Sequence, residues 1–383
     1  MTVRPGPMRI VHVIQDILPQ SGGPPAVVID LSRQQAEEGD DVTILCPTRV
    51  DTPGIGELLR VRLAGANRCP RVTGPANRAG GSSFVRRTLG ELDPEVVHLH
   101  GVFCPALNAA AKWCDRRGVP YVCSTHGILH PSAIGIKALK KRVFLFVFPR
   151  ILGGPKCLLT LNAEEASHAR RAFNPNSCIM ENGVKVDTFA GATADEFLRA
   201  FPAFGARPYA LFVGRLHPIK GIDQLIAAYG KAVEYGLPED LLIIGPEEGA
   251  GPSIVEAIRI AGLGNRVHVL PPIYGAAKAS AIAGCSMFVH RPRYEGFGVA
   301  VIEAMAAGRP VVTTARCHLD RAFADGALTP AADTDQGFAE AMLAASADAR
   351  SGNLTGAQGA AWVRENLDWP RISERIRGIY VST

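Results

Sequence analysis

The stretch MFVHRPRYEGFGVAVIEAMAAGRPVVTT, residues 287–314, decides the fold. A short apolar run, Met287 to His290, gives way to a glycine-containing turn at Glu295 to Gly298. An alanine-rich run of helical character follows, and a second β-branched run closes the stretch at Pro310 to Thr314. Strand, turn, helix and strand in that order make one βαβ unit, the element from which parallel sheets covered by helices are built.

Outward from this unit the same alternation recurs. Toward the N-terminus the pattern predicts strands at Tyr209 to Val213, Leu241 to Ile244 and Val267 to Leu270. An earlier series is predicted at Arg9 to Ile14, Asp41 to Cys46, Val96 to His100, Tyr121 to Thr125, Cys157 to Leu161 and Cys178 to Glu181. Pro24 and Pro25 suit the first turn of a helix that closes near Gly39, because proline lacks only an amide that a helix start leaves unpaired. Between the two series lies the Ala/Gly-rich, polar stretch Ala190 to Pro208, and it marks the domain boundary. The expected fold class is therefore α/β, with two doubly wound, Rossmann-like domains facing across a cleft. Residues 1–190 form the first domain and 205–364 the second. The segment around Trp362 to Tyr380 reads as one or two amphipathic helices, the last of which, about 365–383, packs back on the first domain.

The chain has 383 residues, 47% of them hydrophobic and 20% charged, enough to bury two cores and too apolar for a disordered chain. Its net charge of +5 is uneven: residues 1–190 carry 23 basic against 16 acidic side chains, and residues 191–383 carry 18 against 20. The basic residues of the first half are dispersed and aromatics are few, which argues against nucleic acid and for small anionic ligands. Ile10 to Ile14 is interrupted by His12 and followed by Gln15 and Asp16, unlike a secretory signal. No apolar run approaches the roughly 18 residues needed to span a bilayer. Nine cysteines without a Cys-x-x-Cys pair fit neither a disulfide framework nor a zinc ribbon, so a cytoplasmic location is expected.

Chemistry concentrates in four loops. Glu295 and Glu303 stand eight residues apart around Gly296, Phe297 and Gly298. The glycines allow close backbone approach, Val299 opens a helix whose free amides can meet an anion, and two carboxylates can accept hydrogen bonds from sugar and ribose hydroxyls. An ordinary turn with a solvent-facing Glu is the bland alternative. Gly214 and Arg215, followed by Lys220, place two cations in one βα loop, a clamp for a diphosphate or simply a basic turn. Gly22 and Gly23 after the first strand can bring amides to a phosphate, and His126 can hydrogen-bond a sugar or phosphate. For each, a tight turn or a capping imidazole explains the residues as well.

Together and in order, these motifs resemble the retaining GT-B glycosyltransferases of family four. The resemblance rests on Glu295-Gly-Phe-Gly, on Glu303-Ala-Met-Ala-Ala-Gly-Arg-Pro-Val-Val-Thr and on the Gly214-Arg215-Leu216 to Lys220-Gly221 loop. Glu181-Asn182-Gly183-Val184, Val97-His98-Leu99-His100-Gly101 and the Trp369-containing tail extend it over both halves. It implies a nucleotide-sugar donor held mainly by the second domain and an acceptor held by the first. By that likeness Glu303 holds the ribose and Glu295 the transferred sugar. Arg215 and Lys220 stabilise the departing diphosphate, Gly23 approaches it, and His126 lies near the sugar. Backbone amides of Phe297, Gly298 and Val299 add hydrogen bonds.

The implied reaction moves a hexose-type sugar to a hydroxyl of a glycan, glycolipid or small molecule, with no cofactor and no metal. A sugar-nucleotide epimerase, a phosphorylase of related architecture and a non-catalytic sugar-nucleotide-binding protein are the alternatives. Lys185, Pro292 and the segment Ala315 to Asp320 depart from the family pattern and bear on the identity of the sugar. Cys317 and His318 within that segment could approach the cleft, and a structural role in the loop is the favoured expectation.

The segment His126 to Pro131 leads into Lys137, Lys140, Lys141 and Arg142 and then into Val143 to Phe148. A basic turn before an apolar one suits peripheral contact with an anionic membrane. The favoured expectation is that Phe144 to Phe148 pack in the first domain's core beneath a solvated rim of lysines.

Overall fold

The computed structural model describes residues 6–17, 23–47, 69–74, 81–135, 138–205, 207–351 and 355–382. Gly22 and Lys137 lie outside the described residues. The chain divides into two compact units, Met1–Gly183 with Trp369–Thr383, and Val184–Asp368. Among the described residues, no helix is long and apolar enough to cross a membrane.

The first unit is built on β1 (Arg9–Ile14), β2 (Asp41–Leu45), β3 (Arg71–Thr73), β4 (Val96–His100), β5 (Tyr121–Ser124), β6 (Leu158–Thr160) and β7 (Ser177–Ile179). They form one parallel sheet in the order β3-β2-β1-β4-β5-β6-β7. The edge strand β3 is not among those the sequence pattern predicts, because it has three residues, begins with Arg71 and is only half-buried. Side chains alternate between faces along a strand. Val11 and Val13 of β1 and Val97 and Leu99 of β4 share an apolar cluster with Leu107, Ala110 and Cys114 of the helix Pro105–Arg117. The intervening positions are His12, His98 and His100, all buried, so a face that is normally apolar in a parallel sheet carries three imidazoles here. The helix Trp369–Val381 packs on the helix Gly23–Glu37 within this unit.

The second unit contains β8 (Tyr209–Val213), β9 (Asp240–Ile244), β10 (Val267–Leu270), β11 (Met287–His290) and β12 (Val311–Thr313), all parallel, in the order β10-β9-β8-β11-β12. Phe212, Tyr229, Phe288 and Phe338 are fully buried, each contributing about 1.5–3 kcal/mol by leaving water. Strand order reverses beside β1 in the first sheet and beside β8 in the second. At such a switch point the loops leaving neighbouring strands diverge and open a crevice for ligands. The crevices lie at the carboxyl ends of β1 and β4 and of β8 and β11.

Candidate functional site

In the second unit the switch point is where the motif residues meet. The loop after β8 ends in a short 3-10 turn, Pro218–Lys220, with Gly221 next at φ +63° opening the helix Ile222–Glu234. A Cβ on Gly221 would stand 2.3 Å from the carbonyl oxygen of Arg291, so a glycine lets the β8 and β11 loops touch. The Arg293 amide donates to Ile219 O at 2.9 Å, and its guanidinium grips Asp223 at 2.6 and 2.7 Å. This bracing delivers Lys220 to Glu295.

Glu295 Oε2 accepts a hydrogen bond from Lys220 Nζ and lies 3.1 Å from His290 Nε2. His318 Nδ1 lies 2.8 Å from the Glu295 carbonyl oxygen, and the Glu295 amide donates to Arg316 O at 3.1 Å. The Glu295 side chain is 16% exposed, so the solvent-facing alternative does not hold. Burial pushes its carboxyl upward, but Lys220 and His290 outweigh burial and hold it at about 2. Burial lowers His290 below the usual histidine value, against the pull of Glu295. Glu295 is therefore an anion whose one oxygen already carries two partners.

Gly298 precedes the helix Val299–Ala306, and a Cβ there would stand 2.5 Å from Cys317 Sγ, so the buried Cys317 packs closely against this turn. The Val299 amide points to Phe297 O at 2.8 Å, so unlike the expected free donor it already has a partner. Glu303 is buried in this helix and forms an ion pair with Lys278 at 2.5 Å. Arg215 pairs with Glu248 at 2.6 Å. Both cations of the β8 loop thus rest on carboxylates. Sequence reading missed His290 and Lys278; the one signal for His290 is its place at the end of a strand one turn before Glu295.

In the first unit the switch point holds a pocket of about 210 Å3, lined by Gln15, Asp16, Pro24, Gly101, Phe103 and Cys104 among others. It is of a size for one ring-sized polar group, with the half-buried Asp16 carboxylate on its wall. Gly23 is the first residue of the helix Gly23–Glu37, with open space where its Cβ would stand. His126 follows β5 at φ +53° and is half-buried, its Nε2 3.1 Å from His100 Nδ1. Burial lowers the His126 imidazole to about 4, so it is neutral at pH 7. Nitrogens of His12, His98 and His100 lie within 4.8 Å of one another, yet His12 Nδ1 and His100 Nε2 already face each other at 2.9 Å as hydrogen-bond partners.

The basic and apolar segment differs from the favoured expectation. Phe144 touches Phe103 and Phe148, with ring centroids 5.6 and 4.6 Å apart, and Leu145 packs on the core. Phe146, however, is 88% exposed, and Leu139, Val143 and Val147 share its exposure. These four positions recur with helical period, so the helix Ala138–Val147 turns one apolar face outward. Lys141 is held by Ala133 O at 2.6 Å and lies over the Phe103 ring.

The chain matches two family models. Residues 22–182 match a glycosyl transferase 4-like domain, and residues 207–348 match the glycosyl transferases group 1 domain. Among curated relatives, it is 29% identical to the GDP-mannose:cellobiosyl-diphosphopolyprenol alpha-mannosyltransferase of Xanthomonas oryzae pv. oryzae, over 79% of this chain and 77% of that one. It is 27% identical to the phosphatidyl-myo-inositol mannosyltransferase of Mycolicibacterium smegmatis, over 97% and 93% of the two chains. Among solved structures, Anabaena HepE in complex with UDP and glucose superposes with a TM-score of 0.75 at 18% identity, covering 98% of this chain and all of that one. That likeness establishes the GT-B fold.

Proposed function

The chain belongs to the family-four glycosyltransferases of the GT-B fold, and on that premise we propose that it transfers mannose from GDP-mannose to a hydroxyl of a lipid-linked glycan or glycolipid. The observation that carries the site assignment is the grouping of Lys220, Glu295 and His290 at the β8/β11 switch point, with Glu303 in the following helix. The choice of mannose is supported by the relatives named above.

In this reading the departing diphosphate takes Lys220 from Glu295 and Arg215 from Glu248. The freed Glu295 oxygens then accept hydrogen bonds from the sugar, and Glu303 holds the ribose. The two cations stabilise charge as it develops on the diphosphate, and the bound substrates are held in position; both are recognised sources of rate. The same cations supply the charge compensation that a metal gives elsewhere, which supports a metal-independent reaction. Once Lys220 has moved to the diphosphate, Glu295 keeps His290 as a neighbour and serves as a ligand to hydroxyls. That supports retention by a front-face route, in which the leaving phosphate takes the acceptor proton. The acceptor's reacting ring occupies the pocket beside Asp16, and His126 meets a substrate hydroxyl.

A thermal-shift series across GDP-mannose and UDP-sugars tests the donor. At about 100 times its dissociation constant the correct donor stabilises by about 2.7 kcal/mol. Stabilisation by UDP-sugars alone refutes the choice of GDP-mannose, and no shift with any nucleotide refutes the donor site. NMR of the product's anomeric configuration tests retention, and undiminished turnover in EDTA is the expected outcome for metal independence.

The outward apolar face of the helix Ala138–Val147, beside Lys140 and Arg142, supports a second element of the reading, peripheral binding to an anionic membrane where a lipid-linked acceptor resides. Phe146→Glu should abolish flotation with phosphatidylglycerol vesicles and leave the melting temperature unchanged. Flotation equal to the wild type refutes this surface.

A further inference from the structure

Gln35, buried in the helix Gly23–Glu37, stands at the root of two hydrogen-bonded chains. Its Oε1 lies 2.7 Å from His12 Nε2. An amide oxygen only accepts, so His12 carries its proton on Nε2 and, being neutral, offers a lone pair at Nδ1. That lone pair faces His100 Nε2 at 2.9 Å, so His100 is protonated there and has its own lone pair at Nδ1. His100 Nδ1 in turn faces His126 Nε2 at 3.1 Å. The direction passes along all three rings, and His126 is left with Nδ1 as an acceptor.

The second chain runs with the opposite sense. Gln35 Nε2 donates to the Tyr380 hydroxyl at 3.4 Å, Tyr380 donates to His98 Nδ1 at 2.7 Å, and His98 Nε2 donates to Ser124 Oγ at 2.7 Å. Ser124 is left with a hydroxyl proton to give. Both ends, His126 and Ser124, line one cavity of about 20 Å3 together with Glu181 and Asn182. It has room for about one water. Burial keeps all four imidazoles below the usual histidine range and so neutral, which the directional pattern requires.

We propose that Gln35 is a positioning residue whose amide orientation sets the tautomers of His12, His100 and His126, so that His126 presents Nδ1 as an acceptor to a substrate hydroxyl. Rotating that one amide by half a turn inverts both chains: His126 then presents an N–H and Ser124 an oxygen lone pair. The functional half rests on the reading of His126 as substrate-facing; the tautomer assignment rests on the hydrogen bonds together with the orientation of the Gln35 amide.

The test is 15N NMR of the full chain with labelled histidine, since the shifts of the two ring nitrogens report which one carries the proton. In the wild type His12, His100 and His126 should each show a single form protonated at Nε2. Gln35→Met, which removes both amide partners at similar volume, should give mixed tautomers at His126 and lower kcat by about tenfold with little change in donor KM. Tyr380→Phe keeps the ring and frees the amide nitrogen, and should mix the tautomers of His98 and His126 even if Gln35→Met does not fold. A wild-type His126 protonated at Nδ1, or spectra unchanged in both variants, overturns the proposal. Wild-type turnover in His126→Ala refutes the substrate-facing reading alone, leaving the tautomer assignment to the spectra.

Discussion

Replacing Lys220 by methionine isolates the electrostatics at the heart of the second unit. Glu295 is held at about 2 against an ordinary 4.5, with Lys220 the largest of the groups that lower it against burial. At 1.36 kcal/mol per pH unit, that displacement corresponds to about 3 kcal/mol favouring the folded anion. A carboxyl lowered on folding binds fewer protons than the unfolded chain between the two values. Its stabilisation is complete above 4.5 and is lost as pH falls toward 2. In Lys220→Met the burial remains and the main compensating charge is gone, so the carboxyl rises back toward its ordinary range.

The second unit should therefore melt about 6–12 °C lower than the wild type at pH 7, taking 2–4 °C per kcal/mol for a unit of this size. The gap should close steadily from pH 4.5 to pH 3. Differential scanning calorimetry across that range measures it. Lost packing of the lysine stem does not depend on pH, so only the closing part belongs to the ion pair. A melting difference equal at pH 7 and pH 3 refutes the electrostatic account of this site.

Two further outcomes follow from the same structure. His12 and His126 are held at about 4 against an ordinary 6.5, so the unfolded chain binds more protons in that window. The first unit should lose stability as pH falls from 6.5 to 4, with His100→Gln flattening the dependence in calorimetry. A flat wild-type profile contradicts the neutral imidazole network. Gly221→Ala puts a side chain at φ +63° with its Cβ 2.3 Å from a backbone oxygen. It should cost more than about 1 kcal/mol and, by parting the β8 and β11 loops, lower turnover well beyond what the lost stability explains; wild-type kcat in a folded variant counts against the bracing role of this contact.

Arg9–Ile14, Val96–His100, Tyr209–Val213 and Met287–His290 are bounded in the structure as their runs predict, because a strand buried on both faces leaves a short, largely apolar signature, and the half-buried edge strand Val267–Leu270 is bounded as predicted too. Glu295 and Glu303 were legible for a different reason: glycine-rich turn chemistry flanks them. What the pattern could not reveal is who meets them. Lys220 lies 75 positions from Glu295, and His12 lies 88 from His100. Such pairs are made by the strand order, which places β8 beside β11 and β1 beside β4, and composition carries no trace of strand order. Even so, the histidine network left one local sign. His98 and His100 alternate with Val97 and Leu99 within five residues, and that period of two in a strand of a parallel sheet puts both imidazoles on one buried face.

Burying several neutral imidazoles is unfavourable unless each finds a partner. Two-residue alternation of histidine in an interior strand is thus a signal that a directional hydrogen-bonded network is present, to be completed by polar groups elsewhere in the chain. Here the completing groups are Gln35 and Tyr380, from helices near the two ends of the sequence. The last helix consequently does more than cover the first sheet: through the Tyr380 hydroxyl it takes part in deciding which nitrogen of His126 is left as an acceptor. A carboxy-terminal truncation that removes Tyr380 should then disturb the tautomers of His98 and His126, two residues far from it in sequence.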